Sequence, residues 1–133
     1  MDKLSQDYLK RANVRLEVLE VFYNKGDYAD VVREAQEVVE LVLKAVLRNA
    51  GIDVPKIHDV SRILEKYKDL LPEEVRKNLK KIMAISKRLR KERELSFYGA
   101  EDFIPLDEYT AEEALQAIED AKFVVEVVKR AYS

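Results

Sequence analysis

The chain has no cysteine and a single histidine, His58. Without cysteine there is no disulfide framework, no thiolate metal site and no cysteine nucleophile. One histidine excludes a multi-histidine metal site within one chain and leaves few routes to a histidine-based triad. Glycine and proline are equally scarce, at three each in 133 residues. Three glycines cannot supply the positive-φ positions that successive tight hairpins need, which argues against a many-turned β protein. No apolar run approaches the roughly 20 residues of a membrane span, and residues 1–7 carry no signal-peptide core. The expectation is a cytoplasmic protein with no membrane partner.

An excess of positive charge is also missing. The 24 basic and 26 acidic residues leave a net charge of −2, so no global positive field draws nucleic acid to the chain. Binding of that kind would have to use a local patch. Abundant Lys and Glu beside absent Cys would also suit a thermophile.

What is present points to helices. Hydrophobic residues make up 47% and charged residues 38%, which excludes collagen-like, low-complexity and disordered classes. The length suits one domain, spanning residues 1–133, able to bury about two-thirds of its unfolded surface. Over residues 3–23, Leu4, Tyr8, Ala12, Leu16, Leu19 and Tyr23 recur at spacings of three and four, the signature of one apolar helical face. Gly26 suits a left-handed helix end, and Asp27 can cap the next start. Residues 28–49 are apolar all round, so this helix should be central or lie in an interface. A short helix is expected over 58–67, with Val60, Ile63, Leu64 and Tyr67 inward. A long one should run over 72–97, opened by Pro72-Glu73-Glu74 and striped by Val75, Leu79, Ile82, Ser86, Leu89 and Arg93. Residues 98–105 form the longest irregular stretch. Thr110 and Glu113 then have capping-box spacing, opening a last helix through Tyr132 with Ala114, Ala117, Ile118, Ala121, Val124, Val125 and Val128 inward. The expected fold is an all-α, up-and-down helical bundle of five helices, four long and one short.

Arg93 is the most informative polar residue, because it continues an apolar stripe. A guanidinium is never neutral, so its placement there demands acceptors. One reading is an ion pair with Glu94, Glu101 or Asp102, or an arm that reaches solvent. The other is a planar fork at the rim of a nucleotide or RNA phosphate site. Glu40 and Lys44, one turn apart among valines and leucines, are either a solvated pair contributing about 0.3–0.5 kcal/mol or a partly sheltered polar seam. The aromatics Phe97, Tyr98, Phe103 and Tyr109 either stack on bases or plug one end of the bundle; the neighbouring Glu101 and Asp102 repel phosphate and favour the plug. Lys77, Lys80, Lys81, Lys87, Arg88, Arg90 and Lys91 form either a solvated helix face or a phosphate patch. His58 suits a helix start better than a general base. No Gly-rich phosphate loop, paired metal carboxylate motif or nucleophile elbow is present, and no cofactor is called for.

Three stretches in order resemble the HEPN family (higher eukaryotes and prokaryotes nucleotide-binding). They are Val38-Val39-Glu40-Leu41-Val42-Leu43-Lys44-Ala45-Val46-Leu47, Pro55-Lys56-Ile57-His58-Asp59-Val60, and Arg93-Glu94-Leu95-Ser96-Phe97-Tyr98-Gly99 before a loop and an alanine-rich final helix. The resemblance covers nearly the whole chain. It implies a helical bundle that forms symmetric homodimers. It also implies metal-independent endoribonuclease chemistry in members that carry an arginine, four to six arbitrary residues and a histidine. Arg93 matches the family arginine and Glu94 the polar position after it. Tyr98 stands where the histidine is expected, and no histidine lies downstream. Cleavage through a 2′-hydroxyl needs a proton-transfer group near neutral pH, and losing one removes about 10²–10⁴-fold of rate. A phenol with an ordinary pKa near 10 is a poor substitute. The resemblance therefore implies binding of a nucleotide or RNA phosphate near Arg93 and Tyr98, with Glu40 and Lys44 framing the cleft. It further implies a partnership with a small nucleotidyltransferase in a two-component or toxin–antitoxin pair. A degenerate ribonuclease and a ligand-free interaction module remain as alternatives.

Overall fold

The computed structural model describes residues 1–53, 60–97, 104 and 108–133; of residues 93–97 it describes the backbone alone. Six α-helices account for most of this, with no strand among the described residues. They are α1 (Lys3–Asn24), α2 (Tyr28–Asn49), α3 (Val60–Lys66), α4 (Glu73–Lys77), α5 (Leu79–Phe97) and α6 (Ala111–Ala131). A single 3₁₀ turn, Lys68–Leu70, follows α3.

α2 is the axis of the bundle. Val31, Val38, Val42, Leu43, Val46 and Leu47 are fully buried within it, and α1, α5 and α6 all pack against it. A helix covered on several sides must be apolar on several sides, which is the pattern its sequence shows. Each large side chain so buried contributes about 1.5–3 kcal/mol relative to exposure. The inner faces of α5 and α6 complete the core through Leu79, Ile82, Ile85 and Leu89, and through Ala114, Ala117, Ile118, Ala121, Val124, Val125 and Val128.

The turns follow local chemistry. Gly26 at φ 76° reverses the chain after α1, a left-handed conformation that costs a glycine nothing. Asp27 caps α2 by accepting the Asp30 amide at 3.2 Å. At α6, the Thr110 hydroxyl accepts the Glu113 amide at 3.1 Å while the Glu113 carboxylate accepts the Thr110 amide at 3.1 Å. This closes the capping box expected from the spacing. Thr110→Ala is expected to remove about 1 kcal/mol of stability. A thermal melt should register this as a midpoint lower by roughly 3–5 °C.

Two details depart from the sequence reading. Leu4 is 40% exposed, and the fully buried residues along α1 are Ser5, Ala12 and Leu19. Those three recur every seven residues, and Leu4 stands roughly 60–100° round the helix from them. The expected fourth helix is also interrupted. The Asn78 side-chain amide donates to the Glu74 carbonyl at 2.8 Å, and its backbone amide turns to Val75 at 3.2 Å. An asparagine that satisfies the preceding carbonyls itself loosens the ladder there, separating α4 from α5. His58 lies outside the described residues.

Candidate functional site

A cavity of about 150 Å³ opens between α2, α5 and α6. Val32, Leu89 and Ala117 line it with apolar surface, and Arg88, Glu92, Tyr109, Glu113, Gln116 and Asp120 supply its polar groups. Arg93 follows Glu92 directly and stands one turn beyond Leu89 on the backbone of α5. The cavity therefore lies beside the stretch of α5 whose backbone carries Arg93.

Asp120 is the buried charge of this region. Its side chain is 7% exposed and accepts from the Arg88 guanidinium, which is itself half exposed. The Gln116 amide donates to its other oxygen at 3.0 Å. A buried carboxylate is tolerated when it is paired and its lone pairs are occupied, and both conditions hold here. Arg88 is thereby tied across 32 residues of sequence to α6.

Tyr109 closes the cavity from the approach to α6. It is buried, and its hydroxyl donates to the Glu92 carbonyl at 3.0 Å. That carbonyl belongs to the last turns of α5, so the bond joins the approach to α6 with the end of α5. Burial, then the hydrogen bond and charge of Glu92 and the charges of Glu113 and Glu108, push the phenol well above its ordinary value. The folded chain thus holds this proton at a pH where the unfolded chain releases it. Stability from this group is intact below about pH 10 and falls as pH rises through the elevated range. Tyr109→Phe is expected to cost about 1 kcal/mol at neutral pH through the lost hydrogen bond. It should also flatten the loss of stability above about pH 10, as read by urea unfolding.

The other sequence candidates are distributed as follows. Lys44 Nζ lies 3.5 Å from the Glu40 carboxylate, with the two side chains 30% and 23% exposed. The pair is partly sheltered, and the Gln36 amide donates to Glu40 at 3.1 Å. Gln36 is buried, and its Oε1 finds no partner among the described residues. Neither Glu40 nor Lys44 lines the cavity; Glu40 stands about 12 Å along α2 from Val32. The side chains of Arg93, Glu94 and Phe97, and Tyr98, Glu101, Asp102 and Phe103, lie outside the described residues. Of the basic run, Lys77 pairs with Glu74 at 2.8 Å, Lys81 sits 3.9 Å over the Phe123 ring, and Arg88 is bound to Asp120. Tyr109 takes the plugging role considered for the aromatics.

Sequence reasoning passed over Gln36, Gln116 and Asp120. The signal for Gln36 was its place one turn before Glu40 and two before Lys44. Asp120 is an acid set between the inward residues Ala117 and Ala121, a position that demands a partner. Among the described residues no cluster of His, Asp or Glu is arranged to hold a metal ion, and no helix is long and apolar enough to cross a membrane.

Comparison with known proteins extends to most of the chain. The family profile described as HEPN domain matches residues 5–131. A curated protein of Methanocaldococcus jannaschii, named as a candidate toxin, is 33% identical over 133 aligned residues, covering 96% of this chain and 87% of that protein. No solved structure matches.

Proposed function

Because the chain belongs to the HEPN domain family, we propose that it is a homodimeric, toxin-like protein whose dimer cleft binds a nucleotide or RNA phosphate at Arg93. The observation that carries this reading is Arg93 itself. Arg93, permanently charged, continues the sequence stripe of α5 one turn past buried Leu89 and directly follows Glu92, a residue of the cavity wall. A planar fork presents paired N–H groups that match phosphate oxygens, and two copies related by a two-fold axis would double them. The proposed site takes in Glu94 and Tyr98, which follow Arg93 in the sequence, with Glu40 and Lys44 as the expected frame contributed by α2 of the dimer. Lys44 adds an ammonium held in place by Glu40.

The relative named as a candidate toxin supports a role in a two-component pair; a small nucleotidyltransferase as the second protein is what the family resemblance implies. The missing motif histidine supports binding over cleavage, since Arg93 can stabilise phosphate charge but cannot move protons near neutral pH. Fluorescence anisotropy of labelled RNA and labelled ATP in EDTA, followed by a gel of the same samples, tests both halves. Binding by the wild type, its loss in Arg93→Ala and intact RNA are expected. Equal binding in both proteins, or none in either, would sink the Arg93 site. Arg93-dependent cleavage would replace the binding reading with the ribonuclease one.

A further inference from the structure

α1 uses one face to join the bundle and leaves an apolar stripe on the other. Val14 and Val21 are 55% and 51% exposed and Val18 is 38% exposed, at spacings of four and three on the side away from Ala12 and Leu19. Isolated exposed valines need no explanation, but three in register on one helix form a continuous strip. The strip runs into a shallow depression of about 440 Å³ lined by Asp7, Lys10, Arg11, Val14 and Arg15.

The charge on this face is opposite in sign to the charge of the chain. Lys3, Lys10, Arg11 and Lys25 stand exposed along it against Asp7 and Glu17, and Asp7 is engaged by Arg11 at 3.7 Å. The molecule as a whole carries −2. The face is also remote from the cavity. Arg15 of α1 binds Glu34 of α2 at 2.8 Å, whereas Val32 of α2 lines the cavity. Residues two apart on a helix point about 200° apart, so α1 and the cavity lie on opposite sides of α2.

We propose that the outer face of α1 docks an amphipathic helix of a partner protein, with apolar side chains on the valine strip and flanking carboxylates against Lys10 and Arg11. Helix-in-groove recognition uses anchors at such spacings. Complementary charge sets the choice of partner and its approach. A protein suits this surface better than RNA, because valines offer no stacking plane for bases. It suits a lipid surface less well, since interfacial helices carry Trp, Phe or Leu on the buried side. The inference rests on the two-protein reading above and locates its interface.

The test uses the full ¹⁵N-labelled chain and two synthetic helical peptides with the same leucine stripe, one flanked by Glu and one by Lys. The acidic peptide is expected to move the amides of Lys10, Val14, Val18 and Val21 and to bind at least about tenfold more tightly than the basic one. Lys10→Glu with Arg11→Glu should reverse that preference. Val14→Gln with Val18→Gln should weaken the acidic peptide at least about tenfold while leaving the thermal midpoint unchanged. Equal binding of the two peptides, or shifts elsewhere on the molecule, would overturn the proposal. So would movement of the same amides by anionic phosphatidylglycerol vesicles, by a single-stranded RNA oligomer or by raising the chain's own concentration, without selective binding of the acidic peptide. Failure here leaves the Arg93 site standing, and loss of RNA binding at Arg93 leaves this face untouched.

Discussion

Arg93→Ala is expected to weaken binding of a labelled RNA by at least about 100-fold, and Arg93→Lys to recover only a minor part of it. A guanidinium binds phosphate through two parallel N–H bonds, each charge-assisted and roughly twice as strong as a neutral one. Alanine removes both the bonds and the charge from each copy, so in a symmetric dimer one substitution deletes two contacts. Lysine restores the charge as a point and loses the fork. Salt separates the two losses. Each phosphate contact released with its counterion contributes a slope of about −0.7 in log affinity against log salt for single strands. Arg93→Ala should therefore flatten the salt dependence, and Arg93→Lys should keep it. Anisotropy titrations at several salt concentrations measure both. A variant with unchanged slope and unchanged affinity would place the phosphate elsewhere.

The second large effect is on stability. Leu43 is fully buried at the centre of α2, the helix against which α1, α5 and α6 pack. Leu43→Ala is expected to cost about 2–5 kcal/mol, the lost transfer energy plus the cavity it leaves. The upper half of that range applies because rigid neighbours on several sides cannot all relax toward one gap. A midpoint lower by roughly 10–25 °C should follow in a chain of this size. Leu70→Ala provides the comparison, since Leu70 is 61% exposed and its loss should fall within about ±0.5 kcal/mol. Similar losses at the two positions would contradict the central place given to α2.

Much of this fold was legible in the sequence, for reasons specific to certain residues. α2 is apolar over about two-thirds of its circumference, with Asp30, Glu34, Glu40 and Lys44 confined to one stripe. A helix with so wide an apolar face can only be central. Gly26, Asp27 and the Thr110–Glu113 pair act through bonds to their near neighbours, so spacing reveals them. The inward residues of α6 were readable because the helix is unbroken and its apolar stripe is regular. Leu4 was misplaced because hydrophobicity does not say where a helix overhangs its neighbours, and Ser5 takes the inward position there. The break at Asn78 depends on the choice of a side-chain amide between solvent and a carbonyl one turn back, which periodicity does not register.

The site divides in the same way. Tyr109 as a plug was readable because the neighbouring acids Glu101 and Asp102 argue against base stacking by the loop's aromatics. Asp120 was not, because its burial depends on Arg88 arriving from another helix. Gln36 was hidden for a similar reason: between Ala35 and Glu37 it reads as an ordinary surface amide, and its burial shows only once the bundle is assembled. Long-range pairing of polar groups is the part of the design that one sequence conceals most completely.

The most direct measurement is the stoichiometry of the proposed phosphate site, taken by calorimetry as a short RNA oligomer is titrated into the purified wild type. Two arginines facing each other across a two-fold axis make one site from two chains, so the heat should saturate at one ligand per two chains. Saturation at one ligand per chain, or no heat at any ratio, would contradict the account.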